Sequence, residues 1–303
     1  LQEEEVNEVE KDQRKEKTLF QESWRRFKQN KLAMVGMWFL ILLTAISVAT
    51  TVIDFATNKR IYDTYVISQN LTLRLKGPSA EYILGLDEFG RDILLRMLWG
   101  TRYSLFLGAI GIAASTVIGG TLGAISGFYG GKVDNIIMRF MDILLAIPSI
   151  LLAIAIVAAL GPGLVNILIA IAISYIPTFA RVVRAKVMSI KDQEFIEAAR
   201  AVGAGDARII FKYIIPNSLA PIIVQATLGV AGAILSIAGL SFLGLGIQPP
   251  MPEWGAMLSN ARTYIRDAWH ITVIPGLGIM LTILSLNVVG DGLRDALDPR
   301  LKN

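Results

Sequence analysis

Cysteine is absent from the 303-residue chain, and histidine occurs once, at His270. Without cysteine the chain can form no disulfide, thiolate-bound zinc site, iron–sulfur cluster or thiol nucleophile of its own. A single histidine also leaves no histidine cluster for a transition metal. Charge is scarce too, because 18% of the residues are charged, against about 25% in a typical soluble domain. These absences remove most metal and thiol chemistry from consideration.

Hydrophobic residues make up 53% of the chain, and the excess must face something other than water. The composition therefore predicts an integral membrane protein. The formal net charge is only +4, from 29 Lys and Arg against 25 Asp and Glu. So small a surplus gives no reason to expect nucleic-acid binding.

Long stretches without charge locate the membrane spans, because one Asp, Lys or Arg at the bilayer centre costs about 2.5 to 3.5 kcal/mol. A spanning helix needs about 20 apolar residues. The stretch at 143–180 is too long for one helix, and Gly161-Pro162-Gly163 in its middle both breaks a helix and turns the chain. The stretch at 217–252 ends in a proline-rich segment that cannot stay helical. The six predicted transmembrane helices are residues 32–53, 103–131, 143–160, 164–183, 219–245 and 268–290.

Lys and Arg are concentrated on one side of these spans, in the N-terminal tail, residues 181–216 and the C-terminal tail. The positive-inside rule therefore places both termini in the cytoplasm. The tail 1–31 is expected to contain an interfacial helix, since Phe20, Trp24 and Phe27 share a face among basic residues. A solvated charged tail is the alternative. Residues 293–303 form the predicted C-terminal cytoplasmic tail.

The loop 54–102 is predicted to lie outside the membrane. The apolar residues between Ile93 and Trp99 suggest an amphipathic helix lying on the outer interface, with Gly90 and Asp92 at its start.

Small residues recur every four positions along the second predicted span. Lipid tails are as apolar as leucine, so close backbone contact between small residues must hold such helices together. We therefore expect another helix to pack against this face, either as plain packing or as a pivot during transport. The predicted packing residues are Ser115, Gly119, Gly123, Gly127 and Gly131.

The charge-free stretches contain polar groups but no Asp, Glu, Lys or Arg. Proton-coupled carriers rely on buried carboxylates or histidines, so this class of protein is disfavoured. A sodium-coupled carrier, whose ion site can be built from backbone carbonyls, is not excluded by this test. An intramembrane enzyme needs a nucleophile and a base, and none is evident; His270 is interpreted as an interfacial residue beside Trp269. Asp142 is expected to pair with Arg139, three residues away.

The cytoplasmic loop 184–216 is patterned as two short helices. Asp192 is a plausible N-cap, and Gly203 fits the stop of the first helix. Asp206 can cap a second helix, and Pro216 marks the start of the next span. One face is predicted to carry Phe195, Ala198, Ala199 and Val202. Such a compact knob can dock into another protein's groove or act as a simple connector.

Here the residues resemble a known family. Glu197-Ala198-Ala199, then Gly203, then Ile214-Ile215-Pro216 is similar to the EAA loop of binding-protein-dependent ABC importer permeases. Tyr213 and Ile215 stand where that pattern usually has Ile and Leu.

Two further segments are similar to the C-type subunits of dipeptide, oligopeptide and nickel permeases. Residues 84–105 resemble their LGTDxxGRD…R…GxRxSL motif, with Leu86 in place of Thr, and residues 287–300 resemble their C-terminal signature.

The resemblance implies the type I ABC importer permease fold, with a core at 103–292, in a bacterial or archaeal plasma membrane. It implies a complex with a homologous B-type permease subunit, two ABC ATPase subunits and an extracellular solute-binding protein, for import of peptides. No Walker A motif is present, so ATP and Mg²⁺ would be bound by the ATPase partners. By resemblance, the ATPase-coupling residues are Glu194, Phe195, Glu197, Ala198, Ala199, Arg200, Gly203 and Pro216. The outer motif consists of Gly85, Asp87, Gly90, Arg91 and Asp92. It either lies near the docked binding protein or only shapes the entry to the second span.

Nickel or another small solute is an alternative cargo for the same architecture. A stand-alone channel or secondary carrier is the alternative from a different class of protein.

Overall fold

The computed structural model describes residues 19–297, which fold into α-helices connected by turns and loops. The helices are α1 (Leu19–Gln29), α2 (Lys31–Ala56), α3 (Ile93–Tyr129), α4 (Gly131–Leu145), α5 (Ser149–Leu160), α6 (Leu164–Ile190), α7 (Glu194–Ala201), α8 (Leu219–Phe242), α9 (Trp254–Ala261) and α10 (Trp269–Leu297). Short helical turns lie at Tyr62–Val66, Leu71–Leu73, Asp206–Arg208, Ile209–Ile214, Ile215–Asn217 and Arg262–Tyr264. Within this range no β-strand forms, apart from one isolated bridge between Leu86 and Asp92.

Five of the described helices, α2, α3, α6, α8 and α10, are long and apolar enough to cross a membrane. Helices α4 and α5 pass the same test only as a pair, and they meet at an angle of 86°. The all-α membrane fold predicted from the sequence is confirmed. Its third span, however, is not the single helix predicted at 143–160.

The helical conformation is interrupted between α4 and α5, at residues 146–148. Proline has no N–H for the helix ladder, and it disfavours the helical conformation of the residue before it. Pro148 accordingly takes an extended conformation, with φ −51° and ψ 131°, and α5 starts at the following residue. The distribution of charged residues does not indicate this break, because no charged residue lies at it.

Helices α3 and α6 run parallel, and this shows what the bent pair does. Gly111 lies beside Ile171, and Gly127 lies beside Arg184 and Val187, so contact positions rise together along both helices. A chain that descends through α3 must return before it can descend again through α6. The bent pair α4–α5 therefore makes the return, which brings the number of crossings to six.

Close backbone contact joins α3 to α6. A Cβ atom placed on Gly119 would lie 2.4 Å from the carbonyl oxygen of Ile176, and one on Gly123 would lie 2.2 Å from that of Ala180. Ser115 donates its hydroxyl to the carbonyl of Ala172 at 2.9 Å. The helices thus approach to a distance that only glycine permits, as expected where packing replaces hydrophobic association.

Gly131 does not belong to this packed face, which corrects the sequence prediction. Helix α3 ends at Tyr129, and Gly131 is the first residue of α4, with a positive φ of 54°. Nothing lies within 4 Å of the position that its Cβ would occupy.

The predicted interfacial helix before the second span is also wrong, because α3 is continuous from Ile93. Asp92 caps it by accepting a hydrogen bond from the Leu95 N–H at 3.1 Å. At 1.5 Å per residue, its 37 residues span about 55 Å, well beyond the roughly 30 Å hydrocarbon core. The first turns of α3 therefore extend into the outer loop, with Trp99 buried.

Helix α1 packs against the start of α2 and the last turns of α10. Phe27 is buried, and it lies beside Ala33 of α2 and Gly292 of α10. This end of the bundle also carries α7, and we call it the terminal end. The predicted placement of Phe20 in the helix face lies outside what the structure describes, as do residues 1–18 of the predicted tail 1–31 and residues 298–303 of the predicted tail 293–303. The described part of the latter tail is helical, because α10 continues to Leu297.

Replacing Gly123 by alanine is expected to destabilise the protein by about 1 to 3 kcal/mol, because the new methyl group meets the backbone of α6. Gly276→Ala is the matched control, since Gly276 is also helical but has no atom within 4 Å of its Cβ position. Thermal unfolding in detergent measures the difference. Equal melting temperatures for the two variants would contradict the close packing of α3 and α6.

A candidate coupling surface and a buried outer motif

The predicted cytoplasmic knob is centred on α7 at the terminal end. Two glutamates in its first turn and Arg200 in its last complement the helix dipole. The helix starts at Glu194, with Gln193 in the N-cap position and no side-chain capping bond. Asp192 is therefore not the cap, contrary to the sequence prediction.

The knob is fixed to the membrane helices by its inner face. Ile196 is fully buried, and Ala199 is nearly so. Ile196 belongs to one apolar cluster with Ile209, Val187 of α6 and Phe128 of α3. Arg200 adds a contact, with its guanidinium 5.4 Å from the Phe128 ring centre. The knob thus rests directly on the ends of α3 and α6.

The outer face of the knob leaves large apolar side chains exposed. Phe195 is 39% exposed, Val202 85% and Phe211 64%. Ala198 is exposed with them, whereas Ala199 faces inward, so the predicted single apolar face is divided between two sides. The other exposed candidate residues are Glu194, Glu197, Arg200, Gly203 and Pro216. An apolar surface in an aqueous loop is typical of a protein interface.

Gly203 ends α7 in a conformation that side chains rarely adopt, with φ +83°. Its N–H donates to the Arg200 carbonyl at 2.9 Å, and the Ala204 N–H donates to the Ala199 carbonyl at 3.0 Å. No atom lies within 4 Å of its Cβ position, so backbone conformation rather than crowding favours glycine.

The chain returns to the membrane through three short helical turns after Gly205. Asp206 starts the first of these but makes no side-chain cap. Pro216 lies in the last of them, at Ile215–Asn217, and the next span starts at Leu219 rather than at the proline itself.

Ion pairs join the helices beneath the knob. Arg184 of α6 makes two hydrogen bonds of 2.6 Å to Asp134 of α4, and Ser126 of α3 donates to the same carboxylate. Asp142 pairs at 2.7 Å with Arg181, not with Arg139 as predicted from their spacing. These contacts connect α3, α4 and α6 at the end that carries the knob.

At the opposite end, the outer motif folds around the buried carboxylate of Asp87. One oxygen accepts from the N–H groups of Phe89 and Arg91, both at 2.9 Å. The other accepts from the Arg91 Nε at 2.7 Å and lies 3.3 Å from the Arg96 Nε. Asp87 therefore contacts two buried arginines, Arg91 in the same turn and Arg96 in the first turns of α3.

Arg91 closes the turn locally, and Arg96 anchors it to distant segments. Arg91 is buried and also faces Glu88 at 3.4 Å, while Arg96 donates to the carbonyls of Val66 and Pro250. Burial raises the pKa of the Glu88 carboxyl, and the neighbouring Asp87 charge adds to this shift.

Both glycines of the motif are required by geometry. Gly85 and Gly90 have φ values of +80° and +70°. A Cβ on Gly90 would lie 1.9 Å from the carbonyl oxygen of Asn70, and one on Gly85 would meet the ring of His270. The motif residues are brought together, and their contacts favour a structural role at the entry to α3.

Sequence reasoning missed a second cluster at this end. Asp54, buried at the end of α2, accepts from Trp99 Nε1 at 2.8 Å and from Arg102 at 2.5 Å. Asp54 and Arg102 each border a charge-free stretch, and that shared position was the available signal.

The loop after α8 is tied to α3 in the same way. Glu253 is buried and caps α9 by accepting from the N–H groups of Gly255 and Ala256. Ser104 of α3 accepts from the Trp254 N–H at 3.1 Å.

His270, expected at the interface, is instead buried with its Nε2 3.3 Å from the Leu86 carbonyl. Among the described residues, no group of three or more His, Asp or Glu is placed to hold a metal ion.

Comparison with known proteins identifies the class. Residues 119–303 match the family of binding-protein-dependent transport system inner membrane components. Residues 18–78 match the N-terminal TM domain of oligopeptide transport permease C. The chain therefore belongs to the ABC permeases of binding-protein-dependent transport systems, and to the oligopeptide permease C type among them.

Relatives match nearly the whole chain. The dipeptide transport system permease protein DppC of Alkalihalophilus pseudofirmus is 51% identical, covering 94% of this chain and 91% of that protein. The di/tripeptide transport system permease protein DppC of Pseudomonas aeruginosa is 46% identical over 93% of this chain and 92% of its own. The glutathione transport system permease protein GsiD of Pectobacterium atrosepticum is 44% identical over 95% and 93%.

A solved structure shares the fold. The MetNI methionine ABC transporter, in inward-facing conformations, contains a chain that is 19% identical, with a TM-score of 0.55. The match covers 68% of the present chain and 98% of the other. The predicted ABC importer permease fold is confirmed.

Replacing Asp87 by asparagine is expected to cost about 3 to 5 kcal/mol, because it leaves Arg91 buried without its full counter-charge. Glu81→Gln is the control, since the Lys76–Glu81 pair is exposed and such pairs contribute about 0 to 1 kcal/mol. Thermal unfolding and limited proteolysis of the 54–92 loop measure the effect. An Asp87 variant as stable and as resistant as the Glu81 variant would disprove the anchoring role.

Proposed function

We propose that this chain is the C-type permease subunit of an ATP-driven importer of short peptides. It would form half of a translocation path, beside a homologous B-type subunit. A solute-binding protein would deliver the peptide from outside, and two ATPase subunits would bind the knob from the cytoplasm. The protein would reside in the plasma membrane of a bacterium or archaeon.

The exposed apolar outer face of the knob is the observation that carries this proposal. Val202 and Phe211 are large, apolar and exposed in a loop that lies beyond the membrane spans. Leaving such side chains in water is unfavourable, and an ATPase groove would cover them. The inner face, meanwhile, is packed on α3 and α6, so a force applied to the knob reaches the membrane helices directly.

The movement would be mechanical rather than chemical. Closing of the two ATPase subunits on ATP would pull the knobs together and tilt α3 and α6 as one unit, because their glycine contact leaves little freedom to slide. The path between the two permeases would then open alternately to either side.

Peptide cargo is supported by the relatives that carry dipeptide and di/tripeptide permease names. Glutathione is a second candidate, because the glutathione permease relatives are nearly as similar, at 44% to 46% identity. Both cargoes are short peptides with a free carboxylate.

Reconstitution of the whole importer in proteoliposomes tests the proposal. We expect uptake of a labelled dipeptide that requires ATP, the ATPase subunits and the binding protein. Labelled glutathione and nickel ions, measured in the same vesicles, separate the alternative cargoes. Accumulation of any of these solutes by the present chain alone, without ATPase subunits, would contradict the proposed coupling.

Replacing Val202 by aspartate should uncouple the complex, because it puts a charge in the centre of the proposed contact. We expect at least a tenfold loss of peptide uptake, by the usual penalty for an unpaired charge at an interface, while membrane insertion and melting temperature stay unchanged. Gln21→Asp on α1 is the matched control, since Gln21 is also exposed at the terminal end but lies outside the knob. Peptide uptake and peptide-stimulated ATP hydrolysis are the two quantities to measure. Full stimulation in the Val202 variant would argue that the knob is only a connector.

A further inference from the structure

A cavity of about 870 Å³ opens at the terminal end, between α1, α6, the start of α8 and the end of α10. It borders the knob at Pro216, and no residue of the outer motif lines it. Neither the proposed peptide path nor the ATPase contact explains why an interfacial helix, α1, should cover a hollow of this size.

The wall of the cavity along α8 is mainly apolar. It is formed mainly by one face of α8, which presents Ala220, Pro221, Val224 and Leu228. Leu219 and Ile223, which are exposed, lie on the opposite face of the same helix. Such a wall suits a hydrocarbon chain, because apolar side chains predominate along it, and Gln225 is the polar side chain that α8 adds to the lining.

The polar lining of the cavity is mainly basic. Arg26 of α1, Lys186 of α6 and Arg294 of α10 line it, and Glu22 is the one acidic residue among the described lining residues. None of these three cations forms an ion pair with a described residue. Three cations from three helices converge on one opening with a single carboxylate among them.

The depth of the basic lining matches a membrane surface. In the predicted topology the terminal end is cytoplasmic, and α1 lies there with Phe27 inward and Arg25 and Lys28 in solvent. Amphipathic helices of this kind lie at the boundary of headgroups and acyl chains. The apolar wall is therefore at acyl-chain depth, and the basic lining is at the level of the phosphates.

We propose that this cavity is a binding site for an anionic glycerophospholipid of the cytoplasmic leaflet. Its phosphate and second anionic group would lie among Arg26, Lys186 and Arg294, and one acyl chain would lie along α8. Basic pockets between transmembrane helices on this side recognise lipid headgroups by the same combination of charge and hydrocarbon contact. The bound lipid would join α1 to α6, two helices that otherwise face each other across the hollow.

Other occupants fit less well. A short peptide carries a cationic amino terminus as well as an anionic carboxylate. The three cations of the cavity, with one carboxylate among them, would repel the amino terminus. The first ten residues of the chain include five glutamates, but they offer little to fill an apolar wall.

Native mass spectrometry of the whole importer, released from nanodiscs that contain phosphatidylglycerol and phosphatidylethanolamine, tests the proposal. We expect retained phosphatidylglycerol on the wild-type complex, and about fivefold weaker retention for each of Arg26→Gln, Lys186→Gln and Arg294→Gln. Arg25→Gln is the control, since it removes an equal charge from an exposed position of the same helix that does not line the cavity. Its retention should match wild type.

Three further outcomes would overturn the proposal. These are equal retention in all variants, displacement of the lipid by inorganic phosphate or by a dipeptide, and a gain in retention after removal of residues 1–17. The last result would show that the acidic tail occupies the site. Because the readout is bound lipid rather than uptake, these outcomes are independent of whether the importer carries peptides.

Discussion

Contact between the backbones of α3 and α6 is the constraint on which the rest of the structure depends. In hydrocarbon, apolar side chains gain nothing by leaving the solvent, so helices associate through packing and hydrogen bonds. At Gly119 and Gly123 the carbonyl oxygens of α6 come so close to α3 that a Cβ atom would collide with them. Ser115 adds a hydrogen bond between the two helices. The same contact makes α3 and α6 parallel, which in turn requires the bent pair α4–α5 to carry the chain back between them.

Charged residues complete what glycine contact begins, and they do so outside the apolar centre. At one end Asp134 joins α4 to α6, and at the other Asp54 joins α2 to α3. Asp87 holds the outer turn through two arginines. Burying such groups is costly unless they are paired, which explains why each buried carboxylate has more than one donor. The resulting bundle is fixed at both membrane surfaces and packed, rather than ion-paired, between them.

The sequence reveals the spans and the knob well, because charge-free stretches and the Gly161-Pro162-Gly163 turn are local signals. It reveals partners poorly. Asp142 pairs with Arg181, 39 positions away, and no local spacing indicates this. The break at Pro148 has a proline as its sequence signal, and the absence of charge around it gives no second one. Gly131 follows the four-residue repeat and yet lies past the end of the helix, because periodicity cannot tell where a helix stops.

The unbroken length of α3 has a mechanical consequence. Its outer end is held by Asp92 and the Asp87 turn, and its inner end carries Phe128, which touches the knob. A rod of 37 residues is about 55 Å long, so rotating it by about 5° displaces one tip by about 5 Å relative to the other. Helix α3 can therefore act as a lever that turns a small rotation on one side of the bilayer into a displacement the width of an amino acid side chain on the other.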